Sequence, residues 1–500
     1  MVGIAGTALR RGRTLISTFR CKALAALSFA ATGGYSEAMS DRRPSIRTAE
    51  AEFVRILPSV SRTAEFSRIL LPTRFRIALL LSCGAAIVLA RPAAAENWPR
   101  WRGPRGNAVT TAKGLPVEWD TKKNVRWKTA LPGEGSSSPV VFGDRIFLTS
   151  AEYDGTKRIV RCLDRRTGRI VWSKSIADKN PEATSALTGH AAATPVTNGK
   201  RVVAFFGNAG AVCYDVAGKR LWQRSFGDFE SELGFASSPI LFEDRVILVC
   251  DHDGDRFSTF DSFLIALDAK TGKTVWKTER RKLFRSWSTP IVVDVARKGG
   301  SRKPEGRTTH HSRKELLVSG QDALRAYDPK TGRELWKVTG LTGWVTPTPV
   351  FAEGLILLTS GKTGPVLAVR PGGQGDVTKT HVVWKHERQG PYVCSPVCYG
   401  GLLYVHNEAG VLSCYEAGTG KLVYRKRLGG KFYASSIAGD GKVYISNDAG
   451  LTHVLRAGRR FEVLSRNELK EEILASPAVA GNALLLRTGK HLYCIAGQQK

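Results

Sequence analysis

Three groups of residues in this chain have types and spacings that suit chemistry. Asp251-His252-Asp253-Gly254-Asp255 crowds three carboxylates and an imidazole into five positions, the raw material of a calcium loop. A helix-loop-helix calcium site needs glycine sixth and glutamate twelfth. Here glycine is fourth and Ser262 is twelfth, so the stretch reads as an acidic surface loop. The second group is aromatic: Phe235, Trp287, Trp344, Tyr392 and Tyr433 stand just ahead of recurring Ser/Thr-Pro starts or their equivalent, with Arg285 and His190 among them. Rings with a few cations suit stacking on sugars, peptides or planar ligands, and equally suit packing between sheets. The third group is nine cysteines, seven of them after Ala95. Seven is odd, and Cys394 and Cys398 lie about 13 Å apart in an extended strand, beyond disulfide reach, so buried core thiols are expected. Gly-x-Ser-x-Gly and His-Glu-x-x-His are absent, which excludes the hydrolases that use them.

The elements that must position these residues come from a repeat. Ser138-Pro139, Thr194-Pro195, Ser238-Pro239, Thr289-Pro290, Thr348-Pro349, Ser395-Pro396 and Ser476-Pro477 recur, with Ser435-Ser436 filling the remaining slot. Each opens a short apolar run, usually followed by a turn and a second run, which is a hairpin signal. The second half of the unit reads Ala266-Leu267-Asp268-Ala269-Lys270-Thr271-Gly272-Lys273-Thr274-Val275-Trp276, echoed at Ala326 to Trp336 and Cys162 to Trp172. Asp and Thr accept turn hydrogen bonds, Gly supplies positive φ, and the Trp ring can fill the wedge between neighbouring sheets.

Tryptophan slots, counted from Trp127 through Trp172, Trp222, Trp276, Trp336, Trp384 and Tyr424 to Leu464, are 45, 50, 54, 60, 48, 40 and 40 residues apart. Four short strands per period of that length mean propeller blades. The last unit stops at Leu492-Tyr493-Cys494, before its tryptophan strand, while Asn124 to Lys128 is a tryptophan strand with no unit before it. The expected fold is therefore all-β: an eight-bladed β-propeller closed by N- and C-terminal strands sharing one blade. In such a ring the aromatic group becomes a collar at the mouth of the central channel. His190 stands alone and reads as structural, not as a base.

The motif from Ala266 to Trp276, with the Ser/Thr-Pro starts, resembles the pyrroloquinoline-quinone-like propeller repeat over roughly 370 of 500 residues. That repeat occurs in quinoprotein dehydrogenases and in the propeller lipoprotein of the outer-membrane β-barrel assembly machinery. For the dehydrogenases, the resemblance implies a pyrroloquinoline quinone (PQQ) at the channel mouth with a calcium ion. The adjacent Cys-Cys pair that many of them stack on the quinone is missing, as is a Cys-x-x-Cys-His haem site. The resulting expectation is a non-catalytic binding or scaffold protein that needs no cofactor. It would be a monomer or a subunit of a complex, with a protein or glycan partner in the cell envelope and a role akin to outer-membrane protein assembly. The alternative is a PQQ-dependent dehydrogenase using PQQ and calcium.

The ends and the charge complete the reading. Arg74-Phe75-Arg76, an apolar run from Ile77 to Ala90 and the small residues before Glu96 form a secretory signal, residues 71–95, with cleavage expected after Ala95. The run is 14 residues, too short to cross a membrane, so the mature chain is expected to have no transmembrane span and to be periplasmic, cell-envelope associated or secreted. Residues 1–70 read as a mis-assigned start or a long leader, 96–123 as an extension, 124–494 as the propeller and 495–500 as a tail. Net charge is +31, of which the first 95 residues hold +9, so the remainder is still strongly basic. The basic stretch from Arg297 to Lys314 lacks interleaved aromatics, and no nucleic-acid partner is expected.

Overall fold

A computed structural model describes residues 96–229, 231–252, 262–280, 286–296 and 312–496. The leader, the signal segment, Arg285 and residues 297–311 of the basic stretch lie outside the described residues. Within the described residues the chain forms eight sheets arranged as a β-propeller. The first blade is Val140–Phe142, Arg145–Ala151, Lys157–Asp164 and Ile170–Ala177, paired antiparallel in chain order. Six more follow, each built on four strands in chain order, with Gly375–Asp376 adding a fifth to the fourth blade, the seventh running from Ile437–Gly439 to Val463–Glu468. The eighth takes Ala478–Ala480, Ala483–Arg487 and His491–Ala496 from the end of the chain and Val125–Ala130 from its beginning. Trp127 lies opposite Cys494 there, so the ring closes as the repeat count requires.

One device recurs from blade to blade. The small residue of the third strand faces the tryptophan of the fourth: Cys162 with Trp172, Cys213 with Trp222, Ala266 with Trp276, Ala326 with Trp336 and Ala368 with Trp384. A bulge follows at each of these positions and turns the strand, a common use of an extra residue. The indole then reaches the neighbouring blade. Trp127, Trp172, Trp222, Trp276 and Trp384 donate their N–H to turn carbonyls of Arg165, Val216, Ala269, Pro329 and Ala417 at 2.9–3.2 Å. The turn glycine lies flat under the ring: a Cβ on Gly272 would sit 2.7 Å from Trp222, and on Gly332 2.5 Å from Trp276. These glycines are needed for that close approach as well as for positive φ. The thiols pack as expected, since all seven described cysteines are free and buried. In the seventh blade the count slips by one. Val454 faces Ser465, because the bulge skips Leu464.

The Ser/Thr-Pro starts form a second, inner belt. Ser138 N–H donates to Thr194 Oγ1, Thr194 to Ser238, Ser238 to Thr289, Thr289 to Thr348, Thr348 to Ser395, Ser395 to Ser435 and Ser435 to Ser476, at 2.9–3.0 Å. Each buried hydroxyl satisfies the amide of the blade before it, and after six of the seven donors proline leaves no donor at the next position.

Beneath the ring runs the segment before the first strand. Trp98 pairs with Val141, Thr197 N–H donates to Pro99 O, Arg102 donates to Pro396 O, Ala438 exchanges bonds with Ala108 and Thr110, and Trp119 N–H reaches Asn467. The strap thus touches the first, second, sixth and seventh blades. No helix among the described residues is long and apolar enough to cross a membrane.

Asp251 is not on a surface loop. It is buried and gripped by Arg280 Nε and Nη2, both at 2.9 Å, while Arg280 Nη1 donates to Tyr327 Oη at 3.0 Å. Burial pushes the Asp251 carboxyl up and Arg280 opposes it. The local acidity of the sequence hid a partner 29 residues away; Asp253, Gly254 and Asp255 lie outside the described residues.

Two predictions follow from closure and from this pair. Glu471 joins both ends of the chain: Lys128 Nζ from the N-terminal strand, and Thr488, His491 and Tyr493 from the C-terminal segment, at 2.6–3.0 Å. Burial raises its pKa, but these hydrogen bonds outweigh burial and hold it at about 2. The stabilisation is therefore complete above the ordinary value of 4.5 and is lost as pH falls through about 2. Acid titration of wild type and Glu471→Ala should show the variant less stable by about 2 kcal/mol at pH 7, with the gap closing toward pH 2. Replacing Arg280 with Met should cost about 3–5 kcal/mol in a denaturant melt, since it strands a buried carboxylate. A smaller loss would mean that Asp251 finds water.

Candidate functional site

The inner belt lines a central cavity of about 140 Å³ whose walls include Ser138, Thr194, Ser238, Thr289, Ser435 and Ser476. Trp101 of the strap is part of its lining and also lines a second, narrow space with Pro239 and Pro290. Trp101 belongs to no repeat, so the repeat pattern gave no reason to place it at the channel.

On the upper side stands an aromatic wall. Trp287, Tyr392 and Tyr433 line the cavity, and Trp344 bridges the first two, its ring centroid 6.0 Å from Trp287 and 6.4 Å from Tyr392. Trp287 is held firmly: its indole donates to Gly234 O at 2.7 Å and its backbone to Val345 O at 2.9 Å. Trp344 is half-buried and has φ 64°, a left-handed value that a bulky residue adopts only when its surroundings impose it. Burial, aided by Asp448 and Glu408, holds the Tyr433 hydroxyl above its usual range, so it stays neutral.

The remaining collar positions lie elsewhere. Phe235 is buried against Phe229 at 5.0 Å and Phe205 at 6.1 Å, in the core between the second and third blades. His190 is held by Glu134, whose Oε1 accepts the backbone N–H at 2.8 Å and faces Nδ1 at 2.6 Å. Arg285 lies outside the described residues. A cation that the sequence reading passed over takes its place on the wall. Lys362 Nζ sits 3.6 Å from the Trp344 centroid and 5.8 Å from that of Tyr392. Lys362 and Thr363 have φ 49° and 59°, and a Cβ on Gly361 would lie 2.0 Å from Trp344 O. The Gly-Lys-Thr-Gly turn is thus strained against the ring that Lys362 covers, and that run of glycines was the available signal.

The cavity continues into a larger cleft of about 500 Å³ between the eighth and first blades, sharing Ser136, Leu187, Thr188 and Leu474. Among the described residues no group of three His, Cys, Asp or Glu could hold a metal ion.

Comparison with known proteins bears on what such a site does. Over 276 residues the chain is 25% identical to a polyvinylalcohol dehydrogenase of Pseudomonas sp, covering 48% of this chain and 40% of that protein. It is 24% identical over 322 residues to a 1-butanol dehydrogenase (quinone) of Thauera butanivorans, covering 58% and 46%. The chain spans less than half the length of these curated relatives. Among solved structures, the quinohemoprotein alcohol dehydrogenase of Comamonas testosteroni superposes with TM-score 0.58 at 13% identity, covering 82% of each chain. BamB from Moraxella catarrhalis gives 0.53 at 14%, covering 74% of this chain and 99% of its own. These two show the fold alone.

The curated relatives correct two expectations. A non-catalytic scaffold serving a cell-envelope partner, and the absence of any cofactor, both conflict with relatives that are dehydrogenases, one named for its quinone. Missing Cys-Cys and Cys-x-x-Cys-His motifs were weighed too heavily, because they testify to accessories and not to the aromatic wall itself. A family model described as outer membrane protein assembly factor BamB matches residues 105–255, 260–393 and 376–462. With well over half of its length matched, the chain belongs to this family of PQQ-like repeat propellers.

Proposed function

We propose that this protein is a quinone-dependent alcohol dehydrogenase whose cofactor lies on the aromatic wall of the central cavity. The observation that carries the reading is the Trp287–Trp344–Tyr392 wall, with Lys362 beside it, above a hydroxyl-lined well. A flat, carboxylate-bearing quinone suits these residues: the rings offer aromatic surface, and Lys362, which lies over Trp344, offers positive charge to the carboxylates. PQQ, when bound, supplies a two-electron acceptor for an alcohol. Trp287 fixes the wall, Tyr433 and the belt hydroxyls orient polar groups, and Trp101 adds to the lining. Calcium ligands are not assigned to any described residue. The relatives' names point to primary alcohols and polymeric alcohols as the substrates to try. Export through residues 71–95 belongs to the same reading, and N-terminal sequencing of the mature protein tests it.

The experiment is titration of PQQ with calcium, followed by tryptophan quenching and by dye reduction with 1-butanol and polyvinyl alcohol. Stoichiometric quenching and alcohol-dependent dye reduction are expected. Trp344→Ala should weaken quinone binding about tenfold while leaving the melting temperature nearly unchanged. Trp287→Ala should instead cost about 3–5 kcal/mol of stability, as a buried ring does. Absence of both quenching and dye reduction in the wild type would falsify the enzyme reading.

A further inference from the structure

The cleft between the eighth and first blades holds a buried arginine that is paired with no carboxylate among the described residues. Arg487 is 3% exposed and lines this cleft. Its Nη1 donates to Ser137 O, Ser137 Oγ and Thr149 O at 2.6–2.9 Å, its Nη2 makes one long bond of 3.3 Å to Ser150 Oγ, and its Nε makes none. Arg161, 5% exposed, is its neighbour; Nη2 donates to Pro132 O at 2.7 Å and Nη1 has no partner. Burial lowers both guanidinium pKa values, and for Arg487 the Arg161 charge acts in the same direction. Backbone carbonyls and hydroxyls satisfy hydrogen bonds but leave the charge in place.

Elsewhere the fold pairs such groups. Arg158 meets Asp178 and Glu182 at 2.6 and 2.7 Å, and Arg280 meets Asp251. Arg102, also without a described carboxylate, lines none of the three cavities, nor does Arg161; of these three arginines Arg487 is the one that lines the cleft. Three carboxylates line the same cleft, and none is paired with Arg487. Glu134 holds His190, Glu471 holds Lys128 and His491, and Glu472 is exposed. Gly133, Gly135 and Gly489 leave the floor and walls bare, and a Cβ on Gly135 would fall 2.6 Å from Arg487 Nη2.

We propose that this cleft binds a small oxyanion, a carboxylate or a phosphate, as the counter-charge of Arg487. The proposal goes beyond the dehydrogenase reading and does not depend on it. Its probes are malonate and inorganic phosphate, titrated calorimetrically into the purified full chain, which separates a carboxylate from a phosphate ligand. At least one should bind with Kd below about 1 mM. Gly489→Phe fills the cleft, and the Cβ meets only Glu472, no closer than 3.8 Å, so the variant should melt like wild type and bind at least about tenfold more weakly. Arg487→Met should abolish binding. Should that variant fail to fold, Gly489→Phe still decides. The proposal is overturned if neither anion binds at about 10 mM, or if Gly489→Phe binds as wild type does.

Discussion

The fold depends on an indole lying on a glycine. In a ring of wedge-shaped sheets the outer strands diverge, and something large must fill the space without pushing the next blade away. Tryptophan fills it and glycine lets the next turn approach, while the indole N–H fixes the angle by bonding a carbonyl in that turn. Where the tryptophan is lost, the substitute shows what is required. Tyr424 packs on Phe461 at 5.7 Å, so an aromatic pair bridges the sixth and seventh blades. Where the following turn is rebuilt, as after Trp336, the indole turns to the buried carboxylate of Glu315 at 2.9 Å, and Gly375–Asp376 adds a fifth strand to that blade.

Much of this was legible because it is local and repeated. The small residue, the Asp-Thr-Gly turn and the tryptophan recur at near-constant offsets, so blade number and the shared closing blade could be counted before any packing was known. The one-residue slip at Leu464 arose where the marker residue itself is gone, leaving only spacing to go on, and a bulge defeats spacing. The inner hydroxyl belt was visible as a pattern, yet its purpose was not. A serine bonding an amide some 50 residues away has no signature in its own neighbourhood.

The site was less legible for the same reason. Trp287, Tyr392 and Tyr433 were found because they precede repeat starts, but Phe235 does so too and packs in the core; position in the repeat does not fix which way a ring turns. Lys362 and Trp101 lie outside the repeat register altogether. Asp251 looked like part of an acidic loop until its distant arginine appeared. Chemistry, in turn, was misjudged from absent motifs, whereas the wall consists of side chains whose mutual placement no short motif encodes.

The strap beneath the ring has a consequence for how the chain is made. Residues 98 to 119 and the strand Val125–Ala130 emerge among the earliest parts of the propeller, yet their partners include Pro396, Ala438, Asn467 and His491 to Ile495, among the latest. These contacts span some of the longest sequence separations in the molecule, so docking of the strap and pairing of the last blade must wait for the end of the chain and carry a large loop-closure cost. Until His491–Ala496 is paired with Val125–Ala130, both strands lack the partner that closes the last blade, and an unpaired strand edge is a template for aggregation.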